Sequence, residues 1–143
     1  MLNGNSGPVQ TLKLAPFAPG IFTVGTFHQG AVLNSTNQLV GLTTPATAGS
    51  VIQIFCTGLG QVTNPPATGS PASNTMLSTT TTNPTVTIGG GRATVLFSGL
   101  APGTVGEYQV NVLVPSGVTP GPAVPVVVSI GGVSSNAALI VVQ

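Results

Sequence analysis

The chain has 143 residues, of which 41% are hydrophobic and only 2% charged, and its formal net charge is +1. This length is enough for one domain with a hydrophobic core. The only basic side chains are Lys13 and Arg92, too few for the several phosphate contacts that nucleic-acid binding needs. No apolar stretch reaches 18 residues, so neither a nucleic-acid partner nor a membrane span is predicted.

The scarcity of charge also bears on how copies of the chain interact. The polar residues are almost wholly Thr, Ser, Asn and Gln. Copies of such a chain repel each other weakly, which favours association. We therefore expect the chain to bind copies of itself, as a homopolymer.

Residues 1–19 are predicted to form an N-terminal extension. Within residues 9–15, Leu12 and Leu14 alternate with Lys13, so that the two leucines share one face and Lys13 lies on the other. A strand with free backbone donors and acceptors tends to add to an exposed sheet edge. The segment 9–15 is therefore a candidate donor strand for a neighbouring copy.

Four apolar residues of the extension are the candidate self-assembly residues: Val9, Leu12, Leu14 and Phe17. Phe17 lies between two prolines, in a stretch that is typical of a stiff extended spacer. The alternative, which stays open at this point, is that the segment docks on its own sheet and the protein is a monomeric module.

Residues 20–143 are predicted to form an all-β domain. Apolar residues alternate with polar ones in short runs, and Gly and Pro recur between them, which indicates a β-sandwich or a β-barrel. Of the two, we expect an immunoglobulin-like β-sandwich. The clearest run is EYQVNVLV, which predicts a buried face of Tyr108, Val110, Val112 and Val114. The predicted strands begin at Val9, Gly20, Ala31, Val51, Thr85, Arg92, Glu107, Ala123 and Asn136.

Two stretches share the order apolar strand, Gly-Gly, apolar strand. They are TVTIGGGRATVLF from Thr85 and VVSIGGVSSNAALIVV from Val127. Glycine adopts the positive φ that a tight hairpin turn needs. Each stretch therefore predicts a β-hairpin.

The stretch at about 59–83 is predicted to be a long surface loop, because it is rich in Ser, Thr and Pro and lacks periodicity. Its STTTTNP segment is a candidate for O-linked sugar. Asn34, in the sequence Asn-Ser-Thr, is a candidate site for N-linked glycosylation. For both segments the alternative is an unmodified, solvated surface.

Catalytic residues are nearly missing from the sequence, so the protein is not expected to be an enzyme. Glu107 is the only carboxylate side chain and His28 the only histidine. Paired carboxylates, a Ser-His-Asp triad and the usual zinc or calcium ligand sets therefore cannot be assembled. Cys56 is the only cysteine, and the alternation in VIQIFCTG predicts that it is buried beside Ile54. No cofactor is predicted.

Several blocks of the sequence carry a resemblance to a known family. The blocks GLGQV, GLAPG, YQVNV and GGVSSN, in that order within about residues 16–143, are similar to the acidobacterial family known as the Solibacter uncharacterized C-terminal domain. The resemblance implies an immunoglobulin-like domain of secreted or surface proteins, and hence an extracellular or cell-surface location. It implies no activity and no functional residues.

The sequence as a whole predicts a non-enzymatic structural subunit of an extracellular filament or surface layer, which assembles by donating its N-terminal strand. The alternative is a carbohydrate-binding or adhesive accessory module of a larger secreted protein, with glycans as partners. Aromatic platforms are usual in such modules, but the chain has no Trp, one Tyr and five Phe. Most of the Phe residues are predicted to lie in the core.

Overall fold

The computed structural model of the chain describes Gly4 and residues 7–143. This part of the chain contains strands and no helix, so the all-β prediction is confirmed. The eleven strands are β1 (Gly20–Ile21), β2 (Thr23–Val24), β3 (Gln29–Gly30), β4 (Val32–Asn34), β5 (Val51–Thr57), β6 (Thr85–Ile88), β7 (Gly91–Leu100), β8 (Tyr108–Leu113), β9 (Gly121–Ile130), β10 (Val133–Ser134) and β11 (Ala138–Val142).

The strands form one sheet that nearly closes into a barrel. Its order is β1-β5-β8-β7-β6-β9-β11-β3-β2, with β4 beside β5 and β10 beside β9. All pairings are antiparallel except that of β11 with β3. The two ends of this order, β1 and β2, are separated by one residue of the chain.

Phe22 is that residue, and it joins the two edges of the sheet. Its N–H donates to the carbonyl of Phe55 at 3.1 Å, and its own carbonyl accepts from the N–H of Ala31 at 2.7 Å. The chain thus passes from one edge to the other at Phe22. It does so again at Ala31, between β3 and β4.

The inward face of the sheet follows the predicted alternation. In β5 the buried residues are Ile52, Ile54 and Cys56, and they lie opposite Val112, Val110 and Tyr108 of β8. The valines are fully buried and Tyr108 is half-buried. β-Branched side chains suit such a pleated, packed surface, and here they provide most of the core.

The two Gly-Gly pairs occupy equivalent tight turns, as predicted. Gly89 and Gly90 have φ of 57° and 82°, and Gly131 and Gly132 have φ of 57° and 81°. Two consecutive positive φ values are typical of a type I′ hairpin turn, which matches the twist of its strands.

The second hairpin is shorter than the sequence predicted. β10 pairs with β9 over only two residues, and β11 pairs with β9 further along after a break at 135–137. At the break, the Ser135 hydroxyl accepts from the N–H of Val128 at 3.0 Å. A side chain therefore replaces one backbone partner of β9.

The prediction that most Phe residues lie in the core was wrong. No Phe belongs to the fully buried set: Phe17, Phe55 and Phe97 are half-buried, and Phe22 and Phe27 are exposed. Phe22 lies where the chain changes edges and Phe27 lies in a turn. The alternating pattern that fills the core does not continue through either position.

The loop at about 59–83 packs on its own domain. Thr79 bridges to Gly99 of β7, and Thr80 donates its hydroxyl to Ser98 at 3.0 Å. Ser78 and Thr80 are buried. Their side chains are therefore poorly placed to carry the O-linked sugar considered for this segment.

Candidate self-assembly segment and its anchor

The segment 7–15 carries three of the candidate self-assembly residues and is exposed throughout. Val9, Leu12 and Leu14 are 94%, 85% and 90% exposed. No strand is assigned to residues 7–15. Isolated exposed apolar residues are common on proteins, but here three occur within six residues of an unpaired segment.

Phe17, the fourth candidate, lies against its own domain. A Cβ added to Gly131 would lie 2.2 Å from its ring, and a Cβ added to Gly60 would lie 2.7 Å from it. The ring therefore occupies a slot that the two glycines leave open. The structure separates Phe17, which packs against the core cluster, from the three exposed residues before it.

The backbone next to Phe17 is held equally closely. The N–H of Ala18 donates to the carbonyl of Gly58 at 3.0 Å. A Cβ on Gly58, whose φ is 75°, would lie 1.8 Å from the carbonyl oxygen of Ala18. Only glycine fits this contact, and the fixed point from which the exposed segment starts is therefore at residues 17–18.

Asn136 is a structural residue that the sequence analysis missed. Its Oδ1 accepts from the N–H of Ile21 at 2.8 Å, and its Nδ2 donates to the carbonyl of Ile21 at 3.1 Å. One amide side chain thus makes both hydrogen bonds that a paired strand residue would make. It connects β1 to the segment between β10 and β11.

The sequence contains only a parity signal for Asn136. Ala138, Ile140 and Val142 of β11 are buried, and Asn136 lies an even number of residues before each of them. Asn136 is itself exposed, so burial does not require it to have a partner. Its contact with the backbone of a residue 115 positions away is seen only in the folded chain.

Asn34, the candidate glycosylation residue, ends β4 and shapes the turn after it. Its Oδ1 accepts from the N–H groups of Thr36 and Gln38 at 3.0 and 2.9 Å and from the Thr36 hydroxyl at 2.8 Å. Its Nδ2, the atom that would carry a glycan, is 3.4 Å from Gln38 Oε1. Glycosylation at Asn34 stays a prediction.

Cys56 is held in its neutral form by its surroundings. Burial, with a smaller contribution from the charge of Glu107, raises the pKa of the Cys56 thiol from 9.0 to about 12. A thiol with so high a pKa is a poor nucleophile near neutral pH, since the thiolate is the reactive form. Cys56 therefore behaves as part of the core.

Tyr108 lies next to Cys56 and contacts the loop. Its hydroxyl donates to the carbonyl of Gly60, which is the glycine that faces Phe17. Burial, and then the charge of Cys56, raises the pKa of the Tyr108 phenol. Tyr108 thus ties β8 to the wall of the Phe17 slot.

Two further properties concern the part of the chain that the structure describes. It contains no group of three or more His, Cys, Asp or Glu side chains placed to hold a metal ion. It also contains no helix that is long and apolar enough to cross a membrane.

Comparisons with models of protein families, with curated proteins and with solved structures found no match to this chain. The family resemblance carried by the GLGQV, GLAPG, YQVNV and GGVSSN blocks therefore stays a prediction.

Proposed function

We propose that the protein is a non-enzymatic subunit of an extracellular filament or surface layer, and that residues 9–15 of one copy add as a strand to the next copy. The observation that carries the proposal is the exposure of Val9, Leu12 and Leu14 on a segment without a strand partner among the described residues. Such a segment gains backbone hydrogen bonds and apolar burial by joining a sheet edge.

The anchor at residues 17–18 supports this function mechanically. The Phe17 ring fills the slot between Gly60 and Gly131, so a pull on the exposed segment is transmitted into the core of its own domain. A subunit that is joined to its neighbours by a terminal strand needs such a fixed base. Without it, load would peel the segment from the domain.

The composition supports self-assembly as well. With a formal net charge of +1 and 2% charged residues, copies pack without strong repulsion. The contact between copies would then be held by backbone hydrogen bonds and apolar contacts, on which salt has little effect.

The proposed architecture is an immunoglobulin-like sandwich made from one folded-over sheet. The changes of edge at Phe22 and Ala31 divide the sheet into a half built on β5 and β8 and a half built on β9 and β11. β7 runs through both halves, pairing first with β6 and then with β8. An extracellular location and membership of the Solibacter-type family belong to the same proposal.

Electron microscopy tests the proposal directly. The full-length chain is imaged beside a chain of residues 16–143, which keeps Phe17 in its slot, and thermal unfolding checks that both are folded. The proposal predicts filaments or sheets from the full-length chain only. Monomers from both chains, or polymers from both, would contradict it.

A second candidate function, a carbohydrate-binding or adhesive module, is favoured by one observation. Phe27 is 86% exposed in the turn between β2 and β3, and an exposed aromatic ring is a feature of sugar-binding surfaces. Retention of the full-length chain, but not of Phe27→Ala, on immobilised polysaccharide would support this candidate. Equal elution of both chains would oppose it.

A further inference from the structure

An apolar groove of the described chain lies beside β11. Eleven residues line it, and none is charged. They include Phe27, Leu42 and Ala123. This site is called the β11 groove.

Two exposed apolar side chains stand at the β11 groove. Leu42 is 81% exposed and Phe27 is 86% exposed. Phe27 and the following His28 have φ of 67° and 57°, a left-handed conformation that costs residues other than glycine about 1–3 kcal/mol. The turn thus keeps an exposed phenyl ring on a strained backbone, and strained residues cluster at ligand-binding and active sites.

The groove has the volume for the side chains that the extension exposes. It encloses about 260 Å³, nearly twice the roughly 150 Å³ that opens when a buried leucine is cut back to alanine. One leucine side chain therefore fits fully, and part of a second fits in the open side of the groove. Leu12 and Leu14 share a face, so both would enter the groove while Lys13 points to solvent.

The extension of the same chain cannot supply these leucines. Phe17 is fixed against Gly131, just beyond the end of β9, whereas Ala123 lies near the start of that strand. Gly131 and Ala123 are eight residues apart along the strand, which corresponds to a distance of about 26 Å. Leu14 and Leu12 precede Phe17 by three and five residues, which span at most about 11 and 18 Å.

Resting on the function proposed above, we propose that the β11 groove is the acceptor site for Leu12 and Leu14 of a second copy of this chain. The exposed segment leaves the domain at one end of β9 and the groove lies at the other end. The contact is therefore head to tail, and repetition of a contact between two different surfaces gives an open polymer instead of a closed dimer.

Variants that carry one half of the contact test this assignment. The Leu12→Asp/Leu14→Asp protein has an intact groove but a donor segment that cannot bind. The Leu42→Asp protein has an intact donor segment but a groove that cannot accept one. Each is expected to be monomeric alone, and an equimolar mixture is expected to form 1:1 heterodimers in analytical ultracentrifugation. Leu96→Asp, at an exposed residue of β7 away from the groove, is the matched control and should polymerise.

The outcomes separate this inference from the proposed function. If Leu42→Asp polymerises like the unchanged protein while Leu12→Asp/Leu14→Asp does not, the donor segment stands and the groove assignment is overturned. If the unchanged protein is itself monomeric, the proposed function fails and the groove assignment fails with it.

Peptide binding provides a second readout that does not depend on polymers. A fluorescent peptide with the sequence of residues 7–16, GPVQTLKLAP, is titrated into the Leu12→Asp/Leu14→Asp protein. We expect the additional change Leu42→Asp to weaken binding about tenfold or more, because it places a charge in an apolar site. Unchanged binding after Leu42→Asp, with circular dichroism showing an intact fold, would overturn the assignment.

Discussion

The side-chain amide of Asn136 pairs with the backbone of Ile21 as a neighbouring strand would, accepting from its N–H at 2.8 Å and donating to its carbonyl at 3.1 Å. Ile21 lies in β1, whose residues pair on the other side with Thr57 and Cys56 of β5. One side chain thus links β1 to the segment between β10 and β11, in addition to the backbone hydrogen bonds of Phe22.

Replacing Asn136 by Ala is expected to lower the free energy of unfolding by about 1–3 kcal/mol, because two backbone groups of the buried Ile21 lose their partners. Asn136→Asp should also destabilise, since a carboxylate accepts from the N–H but repels the carbonyl. Chemical denaturation measures both changes. Asn83→Ala, at an exposed asparagine, should change the free energy of unfolding little; an Asn136→Ala effect no larger than that control would contradict the role of the amide.

The contact between Phe17 and Gly131 predicts unequal effects at the two adjacent glycines. Alanine at either position meets a positive φ, which costs about 1–2 kcal/mol. Gly131→Ala also places a Cβ 2.2 Å from the Phe17 ring, whereas Gly132→Ala meets nothing within 4 Å. Gly131→Ala should therefore cost about 1–3 kcal/mol more than Gly132→Ala.

A double-mutant cycle identifies the cause of that difference. In a Phe17→Ala background the ring is gone, so Gly131→Ala and Gly132→Ala should destabilise by nearly equal amounts. If the excess cost of Gly131→Ala survives the removal of the ring, the slot does not hold Phe17.

The Cys56 thiol predicts a loss of stability at high pH. Its pKa is about 12 in the folded chain against an ordinary value of 9.0, so the folded state keeps a proton that the unfolded state releases. The stabilisation is complete below pH 9.0 and is lost as pH rises toward 12. The expected loss is on the order of 1 kcal/mol per pH unit in this window.

Cys56→Ala provides the comparison, because it removes the thiol and, with it, only the smaller effect of the Cys56 charge on the pKa of Tyr108. The difference in unfolding free energy between the two proteins should shrink as pH rises above 9.0. A difference that stays constant up to the alkaline limit of folding would show that the thiol is not protected by burial.

Salt should have little effect on assembly. Lys13 is the only charged residue of the exposed segment 7–15, and none of the residues that line the β11 groove is charged. Screening between about 0.05 and 0.5 M NaCl weakens contacts between charges and leaves apolar contacts largely intact. Light scattering should therefore give nearly the same extent of polymerisation across this range; dissociation at the upper end would indicate an assembly held by charge.

Local patterns in the sequence were sufficient for the buried face of β5 and for the tight turns. Alternation placed Ile52, Ile54 and Cys56 on the buried face, and the two Gly-Gly pairs marked turns that require positive φ. Both features depend on neighbouring residues alone. They are therefore readable from a short stretch of sequence.

The closure of the sheet depends on contacts between distant residues, and the sequence did not predict it. Strands of two residues, such as β1 to β3, are too short to show a period. The pairing of β7 with β8 shifts register between Val95 and Phe97, which ends the alternation predicted for that strand. Gly131, one of the two glycines that face the Phe17 ring, lies more than 100 residues further along the chain. Only the folded structure therefore distinguishes Phe17, as an anchor, from Leu12 and Leu14.

The size distribution of three full-length proteins tests the central claim most directly: the unchanged chain, Leu12→Asp/Leu14→Asp and Lys13→Asp, compared by analytical ultracentrifugation at equal concentration. The three changes lie in one exposed segment but on its two faces. We predict polymers from the unchanged chain and from Lys13→Asp, and monomers from Leu12→Asp/Leu14→Asp, because an aspartate on the apolar face would be buried without a partner. Equal size distributions for all three proteins would contradict assembly through this segment.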